Sequence, residues 1–216
     1  MNPLTLLKVA AFMLAAPIRI RRHPPLPPAG RDHYESSPLA ANLESARVLA
    51  DDIPVAKTPD GGWKEFPSPV LAGCDEPLAD GVPDLRGVWR AYQGPLKGHI
   101  ERIEQAGNRV VITGGGVIHD MRADGTLEHG VNDAGAGGSA ISVAARFERG
   151  RLNLYPGDRR VAVVTRYLDG EEMVWRWGPY RNRLRRLPGP GPSAQVQGAG
   201  GLPRRPGERS DRGAGP

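Results

Sequence analysis

Cysteine is nearly absent from this 216-residue sequence, in which Cys74 stands alone. A single cysteine cannot form an intramolecular disulfide, and it has no second thiol with which to build a cysteine metal site. Cys74 lies in a stretch rich in proline and aspartate, which favours a loop cysteine over a catalytic thiol. The sequence therefore excludes a disulfide-framework protein and a cysteine-based zinc site.

Long apolar runs are also scarce. Residues 3–18 are mostly apolar, but Lys8 interrupts them, and they fall short of the roughly 20 residues that a membrane-spanning helix needs. The basic cluster at residues 19–23 follows this run, whereas a cleaved secretory signal would carry its positive charge in front. We interpret residues 1–22 as an apolar helix that either packs on the protein or contacts a membrane surface. In both cases the expected location is cytoplasmic, with membrane association in the second.

A net positive charge is missing from most of the chain, although the whole sequence has a formal net charge of +5. From Arg181 to the C-terminus eight arginines accompany two acidic residues, a balance of +6, so residues 1–180 carry about −1. Nucleic-acid-binding domains cluster lysine and arginine on their folded surface. The sequence therefore predicts no specific nucleic-acid partner, and any affinity of the tail for polyanions would be nonspecific and sensitive to salt.

The common signatures of catalysis are not found either. The glycine-rich stretches at residues 114–116 and 133–139 do not lead from a strand into a helix, so they do not match phosphate-binding loops. No Ser-His-Asp order and no catalytic pair of carboxylates stands out. A nonenzymatic function is therefore favoured over an enzyme, and the sequence indicates neither a particular cofactor nor a particular metal.

Hydrophobic residues make up only 39% of the chain, whereas glycine and proline number 29 and 22. Such a composition argues against a compact core that uses every segment. The sequence predicts an apolar helix at residues 1–22, a proline-rich linker with one short helix at 23–81, a β-barrel at 82–187, and a disordered basic tail at 188–216.

Short alternating runs separated by turn residues fill the region between residues 82 and 187. Ten strands joined by hairpin-length turns predict an antiparallel meander, and closure into a barrel removes its open edges. We predict an all-β fold, an antiparallel up-and-down β-barrel of about 8–10 strands. The predicted strands are Leu85–Tyr92, His99–Gln105, Arg109–Thr113, Val117–Arg122, Thr126–Asn132, Ala140–Glu148, Arg151–Tyr155, Val161–Leu168, Glu171–Gly178 and Tyr180–Leu187.

The strongest local signal is the Ala-Asp-Gly turn at residues 123–125, flanked by alternating runs. A three-residue hairpin loop there places His119 opposite His129 and Met121 opposite Leu127, all on one face. The two histidines then point inward together with apolar residues. They are candidates for a haem, metal or acid–base site, or they are two satisfied histidines in a partly polar interior.

Two further hairpins yield consistent apolar faces. Across Arg149-Gly150, Phe147 faces Leu152 on an inward face. We interpret residues 168–170 as a three-residue loop, like that at residues 123–125. This loop pairs Thr165 with Met173 and Val163 with Trp175. A two-residue loop would bring Arg166 to the tryptophan face instead, which is the less favourable register. Tyr167, Trp175 and Trp177 then form either one wall of a ligand pocket or ordinary core packing.

Gly87-Val88-Trp89 begins the strand region, and an arginine-bearing strand ends it. This Gly-x-Trp on the first strand of an antiparallel meander resembles the lipocalin and fatty-acid-binding-like barrels, the calycin group, over about residues 82–187. The resemblance implies that Trp89 closes one end of the barrel beneath a basic residue of the last strand, here Arg181, Arg183 or Arg185. It also implies that the barrel interior holds a ligand.

Three hypotheses about function follow. The first is noncatalytic binding of a small hydrophobic molecule inside the barrel. The second is a haem- or metal-dependent protein, or a small barrel enzyme, that uses His119 and His129. The third is a membrane-associated structural module whose barrel is filled. The candidate ligand-binding residues are His119, His129, Met121, Tyr167, Trp175, Trp177 and Trp89.

Overall fold

A computed structural model describes residues 48–74, 76–135, 138–157 and 160–188. The predicted helix at residues 1–22 and the tail beyond Pro188 lie outside these ranges. Among the described residues no helix is long and apolar enough to cross a membrane. The elements are a 3-10 helix (Ala50–Asp52) and the strands β1 (Gly87–Gln93), β2 (Ile100–Ala106), β3 (Arg109–Gly114), β4 (Val117–Arg122), β5 (Val131–Ala134), β6 (Ala140–Glu148), β7 (Arg151–Pro156), β8 (Val164–Asp169), β9 (Glu172–Trp177) and β10 (Tyr180–Arg186).

The ten strands form one antiparallel sheet that curls into a nearly closed barrel. Strands that are neighbours in sequence pair with each other, except β4 and β5, and β10 returns to pair with β1. One seam stays open, because no ladder of hydrogen bonds joins β4 to β5. The predicted all-β, up-and-down barrel is confirmed, and the predicted bounds of β4 and β6 agree residue for residue with the observed strands.

The predicted strand at Thr126–Asn132 is wrong, and so is the register across residues 123–125. Asp124 accepts hydrogen bonds from the Thr126 backbone (2.8 Å) and hydroxyl (2.8 Å), and its other oxygen contacts the His129 ring. These bonds hold the chain in a loop, as aspartate side chains do in turns. The next strand, β5, begins only at Val131. His119 and His129 therefore do not lie opposite each other.

The hairpin at Arg149-Gly150 is confirmed, because Phe147 pairs with Leu152. The register of the β8–β9 hairpin is wrong. Its turn has two residues, between Asp169 and Glu172, and Arg166 pairs with Trp175. Arg166 therefore points into the barrel. Burial of this guanidinium is tolerated because a carboxylate from β2 meets it across the interior.

One end of the barrel is closed by packing around Trp89, which is fully buried. Its indole Nε1 donates to the Leu85 carbonyl (2.8 Å), and the Arg186 guanidinium lies 4.8 Å from the ring centroid. A Cβ at Gly87 would come within 3.2 Å of the Arg186 side chain, so glycine permits this crossing. The basic residue over Trp89 is thus Arg186. The candidates Arg181, Arg183 and Arg185 alternate with inward-facing Leu184 and lie on the outer face.

Residues 48–74, named the strap here, run along the outside of β2, β3 and β4 with almost no regular secondary structure. Side chains of the strap and of the outer sheet face form a second apolar core. This part of the predicted linker is therefore packed against the barrel, and the cysteine of the strap is buried in it. The fully covered members of this core are Ala50, Leu71, Cys74, Ala106, Val111 and Ile118.

Buried charges attach the strap to the sheet. Arg109 is buried and pairs with Asp120 through two bonds of 2.9 and 2.7 Å. The same guanidinium donates to three strap carbonyls, those of Ala50, Ile53 (2.7 Å) and Pro54 (3.0 Å). Because every group of the pair has a partner, the charges hold the strap in one position.

The strap also crosses the seam. The Thr58 hydroxyl accepts from the Ile118 backbone N–H (3.1 Å) and donates to the Ile118 carbonyl (3.2 Å), so it occupies the free edge of β4. The Thr58 backbone N–H donates to Asp133 on β5 (2.7 Å), and Lys57 donates to the Asn132 carbonyl (3.0 Å). The strap thereby joins the two strands that the sheet itself leaves apart.

Candidate ligand-binding cavity

A cavity of about 400 Å³ lies inside the barrel, and Trp89 is not among the described residues that line it. Its size falls within the range of ligand pockets. Its wall includes strand ends that share one rim of the barrel, because neighbouring antiparallel strands begin and end there. These residues are Gly114, Val117, Pro156 and Trp177.

Most of the cavity wall is apolar. Inward-facing side chains of the eight strands β2 to β9 contribute to it, as the alternation of strand residues requires. Trp175 and Trp177 stack with ring centroids 6.2 Å apart and planes inclined by 6°, giving one flat aromatic wall. The aliphatic part of the wall includes Ile112, Val131, Val143, Leu154, Val163 and Val164.

A buried ion pair forms the polar part of the wall. Arg166 on β8 donates from Nε to Glu101 Oε1 (2.9 Å) and from Nη2 to Glu101 Oε2 (2.8 Å). This is the bidentate geometry that guanidinium and carboxylate groups favour. The guanidinium also lies 4.8 Å from the centroid of the Trp175 ring. Both charged side chains are almost fully buried.

His99 completes this polar cluster. Its Nε2 lies 3.4 Å from Glu101 Oε2, and its ring centroid lies 4.9 Å from that of Trp175. Gly114 pairs with Glu101 across the β2–β3 ladder. A Cβ at Gly114 would lie 3.1 Å from the Glu101 Cβ and 3.3 Å from the His99 ring, so glycine leaves room for both side chains.

The environment of Glu101 keeps its carboxyl ionised. Burial by itself would raise the pKa of Glu101, but the Arg166 guanidinium and the hydrogen bond from His99 outweigh burial. The net effect lowers the pKa of Glu101 from 4.5 to about 2. At neutral pH the cavity wall therefore carries one negative and one positive charge in direct contact.

His119 also lines the cavity, on β4, where it pairs with Ile112. Its Nε2 is buried and has no hydrogen-bond partner among the described residues. Burial and the nearby Arg166 guanidinium lower the pKa of His119 from 6.5 to about 4, although the Ala134 backbone acts in the other direction. The imidazole is therefore neutral at physiological pH.

Comparison with known proteins adds no family to this description. No protein-family model matches the chain, and no curated protein matches it. The chemistry of the cavity therefore has to be inferred from its own side chains.

The structure separates the seven candidate residues into three groups. His119, Trp175 and Trp177 line the cavity. Met121 and Trp89 are buried in the packed core outside the cavity wall. Tyr167 faces outward, where Arg151 lies 4.5 Å from its ring, and His129 contacts Asp124 at the surface.

A site that uses both histidines is therefore not formed. The His119 ring is in the cavity wall, whereas nearly half of the His129 side chain is exposed on the outer surface. Within the described ranges no group of three His, Cys, Asp or Glu residues is arranged to hold a metal ion. The prediction of a paired-histidine haem or metal site is wrong, because the Asp124-centred loop carries His129 away.

Sequence reasoning missed the polar cluster of His99, Glu101 and Arg166. The signal for Arg166 was the two-residue turn register, which the sequence permits but which buries a charge. Glu101 lies two residues before Ile103 and therefore shares its strand face. That spacing indicates an inward carboxylate, but its partner lies 65 residues away in the sequence.

Proposed function

We propose that this protein binds a small, largely apolar molecule inside the barrel without changing it chemically. The observation that carries the proposal is the apolar cavity of about 400 Å³ inside the barrel, which lies within its main hydrophobic core. Side chains around a cavity lack packing contacts that a molecule of matching shape would supply. Apolar pockets with a few convergent polar groups are typical of small-molecule sites.

The resemblance to the calycin group supports the same function. The nearly closed antiparallel barrel and the stacking of Arg186 over Trp89 agree with the features that this resemblance implies. In barrels of that group the interior holds the ligand. A module with a filled barrel agrees less well with the cavity, so we rank that hypothesis lower.

The cavity chemistry favours binding over catalysis. Glu101 is held ionised by Arg166, which leaves it a weak base with a pKa of about 2. The Ser142 hydroxyl donates to Asn132 Oδ1 (2.7 Å) and has no histidine beside it in the hydrogen bonds described. A nucleophile with an adjacent base, the arrangement that covalent catalysis needs, is not among the described cavity residues.

The test is a titration of the full chain with the neutral apolar dye N-phenyl-1-naphthylamine. We expect saturable binding with increased dye fluorescence. Val143 lines the cavity, so Val143→Phe should weaken binding at least about tenfold, or about 1.4 kcal/mol. Native mass spectrometry of freshly purified protein should show a bound small molecule.

Val161→Phe is the matched control, because Val161 is 74% exposed. The same substitution there should leave dye affinity unchanged. Equal affinities of the two variants, with both folded by circular dichroism, would place the dye outside the cavity. Absence of saturable binding by the wild-type chain, for dye and for apolar alcohols alike, would overturn the proposal.

A further inference from the structure

We infer that the cavity selects uncharged apolar molecules bearing a hydroxyl or carbonyl oxygen and discriminates against carboxylates of the same length. The inference rests on the proposed binding function and adds the chemical class of the ligand. Its basis is the way in which Arg166 and Glu101 share the polar part of the cavity wall.

The guanidinium that a ligand carboxylate would require is already engaged. Arg166 uses Nε and Nη2 for the two oxygens of Glu101, at 2.9 and 2.8 Å. Two parallel hydrogen bonds are the strongest way in which arginine holds a carboxylate. A ligand carboxylate would therefore have to displace Glu101 or accept a poorer geometry.

Charge acts in the same direction. Arg166 is the one Lys or Arg among the described residues that line the cavity, and Glu101 neutralises it. A carboxylate beside this pair would add a second negative charge close to Glu101 in a largely apolar wall. Like charges at such sites are unfavourable, and an uncompensated buried charge is strongly destabilising. An uncharged oxygen avoids this cost.

Unpaired hydrogen-bonding groups nevertheless remain. Arg166 Nη1 has no acceptor among the described residues, and the buried Trp175 Nε1 is a donor without a partner. The neutral His119 ring is held by the Ala134 backbone, so its unpartnered Nε2 is an acceptor. Buried polar atoms are normally paired, so a hydroxyl or carbonyl oxygen that accepted from the two donors, or a hydroxyl that donated to His119, would be stabilised. The volume of about 400 Å³ lies in the range of small-molecule pockets.

The experiment compares three probes of matched length, decanol, methyl octyl ketone and decanoate, by calorimetry on the full chain at neutral pH. Decanol and the ketone should bind at least about tenfold more tightly than decanoate. Decanoate binding equally well or better would overturn the inference and leave the proposed function standing. Binding of none of the three, together with failure of the dye, would overturn both.

Two buried glutamates on β2 provide a matched pair of variants. Glu101→Gln removes the cavity carboxylate, and Glu104→Gln removes one that pairs with Arg102 (3.1 Å) on the outer face. In Glu101→Gln the ratio of decanoate to decanol affinity should rise at least about tenfold. In Glu104→Gln the ratio should stay at the wild-type value.

An unchanged ratio in folded Glu101→Gln would contradict the role assigned to Glu101. Loss of one member of a buried ion pair is often strongly destabilising. If Glu101→Gln does not fold, the wild-type preference among the three probes decides the question by itself, since it needs no variant.

Discussion

At the scale of single residues, His119 occupies a place where a proton on its ring is unfavourable. Burial opposes the charged form first, and the Arg166 guanidinium opposes it second. The Ala134 backbone, Asp133 and Glu101 favour the charged form but do not compensate. The pKa of His119 therefore falls to about 4, below its value of 6.5 in an unstructured chain.

This depressed pKa predicts a pH-dependent stability. Between about pH 6.5 and pH 4 the unfolded chain binds a proton at His119 and the folded chain does not, so the free energy of unfolding decreases as pH falls through this window. The loss should amount to at most roughly 3.5 kcal/mol, at about 1.4 kcal/mol per pKa unit. In His119→Gln this part of the slope should disappear, as measured by urea unfolding at successive pH values.

His129→Gln is the control for that measurement. His129 lies at the surface, so its replacement leaves His119 in place and should keep the wild-type decrease between about pH 6.5 and pH 4. A wild-type slope that persists unchanged in His119→Gln would show that the pKa of His119 does not differ between the folded and the unfolded chain.

The burial of Glu101 and Arg166 cannot be predicted from either residue alone. Each charge alone is unfavourable inside a barrel. For an isolated hairpin, a register that places Arg166 outside therefore has the lower free energy. The two become favourable only as a pair contributed by β2 and β8. A contact between strands so distant in the sequence leaves no local pattern, whereas Trp175 and Trp177 were identifiable because aromatic residues alternate on one strand.

At the scale of elements, the strap depends on side-chain bonds and not on a ladder of backbone bonds. Arg109 alone donates hydrogen bonds to Asp120 and to three strap carbonyls. Proline and glycine interrupt the strap, and its apolar residues follow no helical or strand period. For that reason the sequence predicted a linker, and the packing of residues 48–74 on the sheet had to be observed.

We predict that Arg109→Leu destabilises the protein by about 3–5 kcal/mol, because it leaves Asp120 buried without its partner. The strap should also detach more often, so trypsin should cleave after Lys64 faster than in the wild type. Urea unfolding and mass spectrometry of the digest measure the two effects. Arg181→Leu, on an exposed side chain, should change stability by no more than about 0.5 kcal/mol.

Unchanged stability in Arg109→Leu would mean that solvent or other groups replace this ion pair without cost. Faster cleavage without loss of stability would show that the strap opens independently of the barrel. These outcomes differ because the barrel ladders are formed by strands that do not include the strap.

Hairpins show where local sequence is sufficient. Arg149 and Gly150 form a two-residue turn with φ values of 51° and 70°. The alternation of apolar and polar residues is enough to predict the register of this hairpin. The loop after β4 carries an equally strong turn signal, but Asp124 binds the backbone and side chain of Thr126 and the ring of His129. The chain therefore continues as a loop and does not form the predicted hairpin. Side-chain bonds within a turn can therefore override a strand pattern.

At the scale of the whole molecule, closure of the barrel is uneven. β1 and β10 are joined by a ladder, whereas β4 and β5 are joined through the strap and a few loop contacts. β5 has four residues and one ladder, with β6, while β9 has ladders on both sides. Elements with fewer bonds open with lower free energies than the rest of a protein.

We therefore predict that backbone amides of β5 exchange with deuterium at least roughly 100-fold faster than those of β9, which corresponds to local opening at the seam instead of global unfolding. Thr58→Val removes the hydroxyl that bonds both polar groups of Ile118, so exchange in β4 and β5 should accelerate further while β9 stays unchanged. Thr165→Val, which removes a hydroxyl bonded to Asn153 on the outer face, is the control and should leave the seam unaffected. Equal protection of β5 and β9 in the wild type would mean that the strap closes the barrel as firmly as a ladder does.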